Sequence, residues 1–192
     1  MDAGSLSRIR QLIADAGNTG STEPVAMTLA TVAENGGVSA RVVLLRGVDE
    51  RGFVFYTNLN SEKGRQLEAN PAAALCFHWD PLKEQVRVEG TVEQVSEDEA
   101  DEYWKARPRD SRIGAWASRQ SETLESRAVL VQRVAEFEVK FEGQDVPRPD
   151  FWSGFRVVPN RIEFWKSMPA RLHERIVYEL GEDGWTKRML YP

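Results

Sequence analysis

The first part of the chain has apolar residues at helical spacing, which predicts one amphipathic helix. The residues of this repeat are Leu6, Ile9, Leu12, Ile13 and Ala16. The segment 17–21, rich in Gly, Asn and Ser, ends the pattern and predicts a loop. The rest of the sequence shows no internal repeat and no low-complexity segment. We therefore expect a helix and loop over residues 1–22 and a single domain over residues 23–192.

From residue 23 onwards the pattern changes to short apolar or alternating runs, which are typical of strands. The first set of runs is Met27–Val32, Ala40–Leu45, Phe53–Thr57, Ala73–Trp79 and Gln85–Val95. The second set is Phe155–Val158, Arg161–Lys166, Arg171–Glu179 and Trp185–Leu190. Turn sequences such as Asn35-Gly36-Gly37 keep most links short. Many strands with short links favour a β-rich α+β fold, an antiparallel barrel or sandwich, over a parallel doubly wound sheet.

Three further helices are predicted between these strands. Ser61 can cap a helix that extends to about Ala69. Ser96 and Glu99 form a capping box for a helix that reaches Ala106. The third helix covers Thr123–Phe141, with Gln120 and Ser121 at its start, and a polar loop over Gly143–Pro149 follows it.

Composition restricts the possible classes of function. With 25 Lys and Arg against 30 Asp and Glu, the net charge is -5, which disfavours nucleic-acid and anionic-membrane binding. The one cysteine, Cys76, lies in an apolar run and is expected to be a buried, unreactive thiol. The sequence shows neither a membrane-length apolar run nor a secretion signal, so we expect a cytoplasmic protein.

The segment Arg171-Leu172-His173-Glu174-Arg175 is the most unusual part of the predicted second set of strands. In a strand, alternate side chains share one face, so Arg171, His173 and Arg175 would line the same surface. Such a face is costly to bury unless an anionic or electron-rich group lies against it. The alternative is a solvated face with ordinary ion pairs.

Two other segments have the composition of phosphate-binding sites. Lys63 follows the Ser61 cap at a predicted helix N-terminus, where backbone N–H groups and the helix dipole favour an anion. Tyr103, Arg107 and Ser111 combine a phenol, a guanidinium and a hydroxyl at the end of the next helix. Ordinary helix capping explains either segment equally well from the sequence alone.

Metal and hydrolase sites are not indicated. The two histidines, His78 and His173, lie in different predicted strands without ligand partners at zinc spacing. The sequence contains no G-x-S-x-G elbow, no Walker loop and no G-x-G-x-x-G after a strand.

An ordered set of motifs from about Pro24 to Pro192 resembles the pyridoxine/pyridoxamine 5′-phosphate oxidase family. The motifs are R-V-V-L-L-R at 41–46, F-Y-T-N at 55–58, S-x-K at 61–63, R-P-R-D-S-x-I-G-A-W at 107–116, R-Q-S at 119–121, F-W-S-G-F-R at 151–156, E-F-W at 163–165 and R-L-H-E-R at 171–175. The resemblance implies an antiparallel split β-barrel with flanking helices. It also implies a homodimer with FMN at the subunit interface, which oxidises pyridoxamine or pyridoxine 5′-phosphate to pyridoxal 5′-phosphate with O2 and releases H2O2.

The resemblance also assigns roles to individual residues. The implied FMN contacts are Arg41, Val42, Val43, Leu44, Leu45, Arg46, Tyr56, Thr57, Lys63, Gln85, Gln120, Ser121, Trp165 and Arg175. The implied contacts to the substrate phosphate are Arg46, Tyr103, Arg107 and Ser111. Arg171 and His173 are the implied catalytic residues and would lie over the pyridine ring. Arg171 would orient the substrate and stabilise charge as hydride leaves, while Arg175 would support the flavin.

The sequence departs from the family pattern in three ways. Arg46 stands where lysine is usual, so the substrate phosphate is expected to be held differently. Glu62 occupies a commonly basic position and is expected to weaken flavin binding unless it points to solvent. The sequence starts after the basic segment that covers the substrate in familiar members, so slower turnover or a different substrate is expected.

Two other functions fit parts of the same pattern. A phenazine-biosynthetic type of FMN oxidase shares R-Q-S-E-T-L and R-L-H-E-R, but the complete set Tyr103, Arg107 and Ser111 favours a phosphorylated substrate. A non-catalytic store of flavin or pyridoxal phosphate is the second alternative, motivated by Glu62 and the missing segment. Oxygen consumption with pyridoxamine 5′-phosphate separates the three.

Overall fold

The computed structural model describes all residues 1–192 and contains five α-helices and nine strands. The helices are α1 (Ala3–Asn18), α2 (Glu62–Ala69), α3 (Glu97–Ala106), α4 (Arg109–Ala117) and α5 (Arg127–Lys140). The strands are β1 (Ala26–Val32), β2 (Val38–Leu44), β3 (Gly47–Val48), β4 (Phe53–Asn58), β5 (Ala72–Trp79), β6 (Glu84–Gln94), β7 (Trp152–Lys166), β8 (Glu174–Gly181) and β9 (Gly184–Leu190). No helix has the length and apolar content needed to cross a membrane.

All nine strands belong to one antiparallel sheet, in which β7 is the branching strand. The main order is β2-β1-β5-β6-β7-β4-β3, and β8 and β9 join it through β7. Along one edge, β7 pairs first with β4 through Trp152–Val157 and then with β8 through Arg161–Lys166. This branching, with helices at the flanks, is the antiparallel split barrel expected from the resemblance, so the predicted fold class is confirmed.

The main core lies between α1 and one face of the sheet. It is a cluster of 19 buried residues, in which Ile9, Leu12 and Ala16 of α1 meet the strand phenylalanines Phe53 and Phe77. Burial alternates along β1, as expected for a strand with one face in the core. Helix α1 is therefore held to the sheet by apolar packing. The division at residue 22 stays a prediction.

A second, smaller core fixes helices α3, α4 and α5 beside the start of β7. Its five buried residues are Trp104, Ile113, Phe141, Val146 and Trp152. The Trp104 indole N–H donates to the Val146 carbonyl at 2.8 Å, which satisfies the buried donor. This packing sets the position of Tyr103 and Arg107, which lie on and just after α3.

The structure corrects four predictions of secondary structure. Phe155–Val158 and Arg161–Lys166 form one strand, because a bulge opposite Glu89 and Gly90 accommodates Pro159 without ending it. The predicted set of three helices after α1 omits α4, which begins two residues after Arg107. The predicted helix over Thr123–Phe141 begins only at Arg127 and ends at Lys140, so Gln120 and Ser121 lie in a loop before it.

The fourth correction concerns Arg171 and His173. The predicted strand Arg171–Glu179 begins at Glu174, so Arg171 and His173 do not share a strand face. Ala170 and Arg171 have φ of 54° and 62°, in the left-handed region, and this backbone cannot continue a strand. The two side chains lie instead in a tight loop before β8.

Candidate active site

A cavity lies where strands β2 and β4 meet helices α2, α3 and α4. Its volume is about 840 Å³, within the range of ligand pockets. The predicted site residues that line it are Val42, Val43, Leu44, Arg46, Tyr56, Thr57, Lys63, Tyr103, Arg107, Ser111 and Gln120. The structure thus brings both predicted phosphate-binding segments into one space, which we call the large cavity.

At one end of the large cavity, Lys63 stands at the N-terminus of α2. Its Nζ lies 2.7 Å from Gln120 Oε1, 3.3 Å from Thr57 Oγ1 and 3.4 Å from Ser61 Oγ. Ser61 caps the helix by accepting from the Gly64 N–H. A Cβ at Gly64 would lie 2.1 Å from the Leu59 carbonyl oxygen, so this first turn requires glycine. A cation, hydroxyls and a helix N-terminus together favour an anion at this end.

The electrostatics of Lys63 point the same way. Burial is the main cause that lowers the pKa of Lys63, and the nearby Arg41 guanidinium lowers it further, while Glu62 acts to raise it. An anion bound beside Lys63 would counter both the desolvation and the repulsion. Glu62 itself is exposed, lies outside the lining of the large cavity and accepts from Gln66 at 3.1 Å.

At the other end, aromatic rings support the second set of polar groups. The ring of Tyr56 stacks on Tyr103 with centroids 3.9 Å apart, and Trp152 stacks on Tyr56 at 5.4 Å. The Tyr56 hydroxyl donates to the Glu99 carbonyl, and burial raises the pKa of Tyr56. A Cβ at Gly154 would lie 2.8 Å from the Tyr56 ring, so glycine there allows the stack.

The Arg107 guanidinium lies against this stack and has an unused donor. Its Cζ is 4.6 Å from the centroid of the Trp152 ring, and its Nη2 donates to the Ser111 carbonyl at 3.2 Å. Its Nη1 is buried without a hydrogen-bond partner. Burial is the main cause that lowers the pKa of Arg107, and Arg46 lowers it further. A buried, unpaired N–H beside a second guanidinium is suited to a bound anion.

Three predicted flavin contacts from the same part of the chain lie outside the large cavity. Arg41 points back to Thr31 Oγ1 at 2.5 Å and Gln66 Oε1 at 3.2 Å, and so joins β1 to α2. Leu45 is buried in the main core. Ser121, with φ of 74°, lines a neighbouring cavity of about 410 Å³.

The remaining predicted residues form a separate group, which we call the C-terminal cluster: Gln85, Trp165, Arg171, His173 and Arg175. Gln85, Trp165 and Arg175 are cross-strand neighbours on β6, β7 and β8, so they share one face of the sheet. The ring of His173 lies 4.6 Å from that of Trp165. Arg171 is exposed, and its guanidinium has no partner in the chain.

A buried carboxylate that sequence reasoning missed, Glu163, binds Arg175 of the C-terminal cluster. Glu163, 2% exposed, accepts from Arg175 Nε at 2.7 Å and from Arg161 Nη2 at 2.9 Å. Burial acts to raise the pKa of Glu163, but the hydrogen bonds from Arg175 and Arg161 outweigh it and lower the pKa below its usual range. An acidic residue between the apolar Ile162 and Phe164 was the available signal.

Strand β7 separates the two groups. Trp152 lines the large cavity at its beginning, and Trp165 belongs to the C-terminal cluster near its end. Thirteen residues at about 3.3 Å each correspond to about 40 Å along the strand. The candidate site residues of one chain therefore lie in two places.

Two protein-family models match consecutive segments of this chain. A family model described as Pyridoxamine 5'-phosphate oxidase matches residues 13–141. A second, described as Pyridoxine 5'-phosphate oxidase C-terminal dimerisation region, matches residues 152–192. The second match contains most of the C-terminal cluster.

Two relatives named pyridoxine/pyridoxamine 5'-phosphate oxidase are similar over most of the chain. The protein from Myxococcus xanthus (strain DK1622) is 56% identical over 187 residues, which cover 97% of this chain and 91% of the relative. The protein from Alkalilimnicola ehrlichii is 59% identical over 168 residues, which cover 87% of this chain and 86% of the relative.

Solved structures share the fold. The structure of PhzG from Burkholderia lata 383 in complex with tetrahydrophenazine-1-carboxylic acid has a TM-score of 0.92 and 31% identity, with 98% of this chain and 92% of that chain covered. A pyridoxamine 5'-phosphate oxidase-related, FMN binding protein from Nostoc punctiforme has a TM-score of 0.75 at 16% identity, covering 99% and 97%. From the two family models and the relatives above half identity, this chain belongs to the pyridoxine/pyridoxamine 5'-phosphate oxidase family.

Proposed function

We propose that this protein is an FMN-dependent oxidase that converts pyridoxamine 5′-phosphate or pyridoxine 5′-phosphate to pyridoxal 5′-phosphate with O2 and releases H2O2. One observation carries the proposal: the Lys63 end and the Arg46–Arg107 end are two cationic sites in the same cavity. A phosphorylated cofactor and a phosphorylated substrate that react with each other need two such sites side by side. The names of the close relatives support the same reaction.

The residues present fit FMN. Lys63, the Thr57 hydroxyl and the N-terminus of α2 would hold its phosphate, and the apolar side chains of Val42, Val43 and Leu44 would flank its ring. When bound, FMN accepts hydride from the substrate and passes the electrons to O2. The protein's part is to orient the substrate and to provide charges at fixed positions.

The substrate phosphate would bind at the opposite end of the large cavity. The Arg107 Nη1 donor has no partner in the chain, and a phosphate oxygen would satisfy it. Arg46 is exposed at the same end and adds a second positive charge, while Tyr103 and Ser111 line the wall. The stack of Arg107 on Trp152 keeps the guanidinium in place before the substrate arrives.

We infer that the site is completed across a homodimer, with FMN at the interface. Trp165 lies about 40 Å along β7 from Trp152 of the large cavity, and Arg171, His173 and Arg175 belong to the cluster around Trp165. Residues 152–192 also match the family's dimerisation region. The C-terminal cluster of one protomer would therefore cover the cavity of its partner. There, Arg171 would orient the substrate and stabilise charge at the carbon that loses hydride, and Arg175 would support the flavin.

A phenazine-type oxidation is the second candidate, because the PhzG structure is a near neighbour in fold. The unpaired Arg107 donor supports a phosphorylated substrate over a non-phosphorylated tricycle. The test is to load the purified protein with FMN, add pyridoxamine 5′-phosphate, and record O2 uptake together with pyridoxal phosphate formation. Uptake in step with product is the expected result. Binding without uptake would favour a store, and uptake only with a dihydrophenazine carboxylate would favour the second candidate.

A further inference from the structure

The loop that carries Arg171 is tied down at three points by neighbouring groups. The Ser167 N–H donates to the Lys83 carbonyl at 2.9 Å where the loop begins. The Leu172 N–H donates to the Pro169 carbonyl at 3.1 Å, which closes a turn. The third tie is made by a side chain: His173 Nδ1 accepts from the Met168 N–H at 3.2 Å.

This third tie spans the whole left-handed segment. Ala170 and Arg171 are consecutive non-glycine residues with positive φ, a conformation that persists only when the surroundings enforce it. Met168 and His173 stand on either side of these two residues, and the His173 ring is itself held against Trp165. The imidazole therefore links the first half of the loop to the base of the C-terminal cluster.

In place of the catalytic role that the family resemblance implies for His173, we propose that it is a positioning residue, which fixes the backbone of Arg171 by accepting the Met168 N–H at Nδ1. An imidazole nitrogen accepts a hydrogen bond only when it carries no proton, so this contact requires an unprotonated Nδ1. The Arg171 side chain is exposed and makes no hydrogen bond or ion pair in its own chain, so this backbone sets the point from which the side chain extends. The inference rests on the proposed function for the role of Arg171, but the Met168–His173 contact can be tested without it.

Two substitutions separate this role from direct contact with substrate. Asparagine at position 173 can place its Oδ1 where Nδ1 stands, whereas glutamine can reach only towards the Nε2 position. We expect His173→Asn to keep the loop closed and kcat within about threefold, and His173→Gln to lower kcat about 10-fold to 100-fold through misplacement of Arg171. FMN content should be equal in both variants.

The contact itself is measured by hydrogen exchange. The chain has four methionines, and Met1 carries the terminal amine, so [15N]methionine labelling of the full-length protein gives backbone amide signals from Met27, Met168 and Met189 only. Met27 and Met189 lie in β1 and β9 and report whether the fold is kept. The Met168 amide should exchange about tenfold or more faster in His173→Gln than in the wild type or in His173→Asn.

Protection and kcat that are both kept in His173→Asn and both lost in His173→Gln support the proposal. It is overturned if the Met168 amide exchanges freely in the wild type, if His173→Gln keeps kcat, or if either variant changes one of the two quantities without the other. If His173→Asn and His173→Gln both lose kcat and the protection of the Met168 amide, a double variant with Ala170→Asn and His173→Gln is made. Asparagine favours the left-handed conformation and should restore the loop without the imidazole. Recovery of kcat then supports action through the loop, and no recovery assigns His173 a direct role.

Discussion

The large cavity and the C-terminal cluster differ in how far one chain completes them. In the cavity, Lys63 already has three oxygen partners, and Arg107 is stacked on Trp152. In the cluster, Arg171 is exposed without a partner, and Leu172 beside it is 70% exposed. The cavity is therefore a preformed pocket, whereas the cluster is an exposed surface whose key side chain makes no hydrogen bond or ion pair in its own chain. This difference is the basis of our proposal that two protomers share the site.

The largest expected effect follows from removing the free guanidinium of the cluster. Arg171→Ala should lower kcat about 100-fold or more, because a charge that stabilises the reacting atoms is lost, while FMN content stays unchanged. Stopped-flow reduction of the flavin and the ratio of flavin to protein measure the two quantities. An equal loss of both would contradict the separation of roles between cavity and cluster.

Mixing two inactive variants tests whether cavity and cluster meet across protomers. Arg107→Ala disables the cavity and Arg171→Ala disables the cluster. If random re-association gives half heterodimers, each with one intact site, about a quarter of the wild-type activity should return. Activity that stays at the level of the separate variants would mean that both regions act within one chain. Mixing Arg171→Ala with itself is the control.

The buried anchor of the cluster should have a large effect on stability. Glu163→Gln should lower the free energy of unfolding by about 3 kcal/mol at pH 7, because Arg161 and Arg175 lose their shared carboxylate. Glu89, which also pairs with Arg161 but is more exposed, provides the control, and Glu89→Gln should cost about 1 kcal/mol or less. Urea unfolding of both variants measures the difference.

The contribution of Glu163 to the free energy of unfolding should depend on pH. The pKa of Glu163 is lowered in the folded chain, so its contribution to stability is complete above the unfolded value of about 4.3 and is lost as pH falls through the lower, folded pKa. The stability gap between wild type and Glu163→Gln should therefore close in acid. A gap that stays constant over this range would show that the carboxylate charge is not its source.

A moderate effect is expected at the anion end of the cavity. Lys63→Ala should weaken FMN binding by about 1–3 kcal/mol, since a charge-assisted bond to the phosphate is lost. Glu62→Gln is the matched control on the same helical turn, and because Glu62 lies outside the lining of the cavity its effect should be small or slightly favourable. Fluorescence titration with FMN measures both, and unchanged affinity in Lys63→Ala would refute this phosphate site.

The smallest effect concerns the substrate end. Arg46→Lys restores the usual residue of the family, and since either side chain carries the charge, KM for pyridoxamine 5′-phosphate should change by about threefold or less. A larger change with unaltered kcat would show that the fork of Arg46 makes a two-point contact with the phosphate.

The sequence is sufficient to predict most of the fold, but not the separation of the candidate site residues into the large cavity and the C-terminal cluster. Periodicity and capping residues located α1, α2 and α3, because these elements follow local rules. The start of β8 was placed too early, since the alternation of Arg171 and His173 says nothing about the left-handed backbone at Ala170. The missed role of Glu163 depends on Arg175 from the neighbouring strand β8 as well as on Arg161, and no local pattern contains a contact between strands.

Strand β7 has a consequence for how the protein can vary. Trp152 and Trp165 stand on the same continuous strand, with a bulge at Asn160 between them. The spacing of cavity and cluster is thus fixed by a single stretch of backbone, and by symmetry that stretch fixes both sites of a dimer. Removing or adding one residue there would shift the C-terminal cluster relative to the large cavity in both protomers. It would also move the side chains after the change to the opposite face of the sheet.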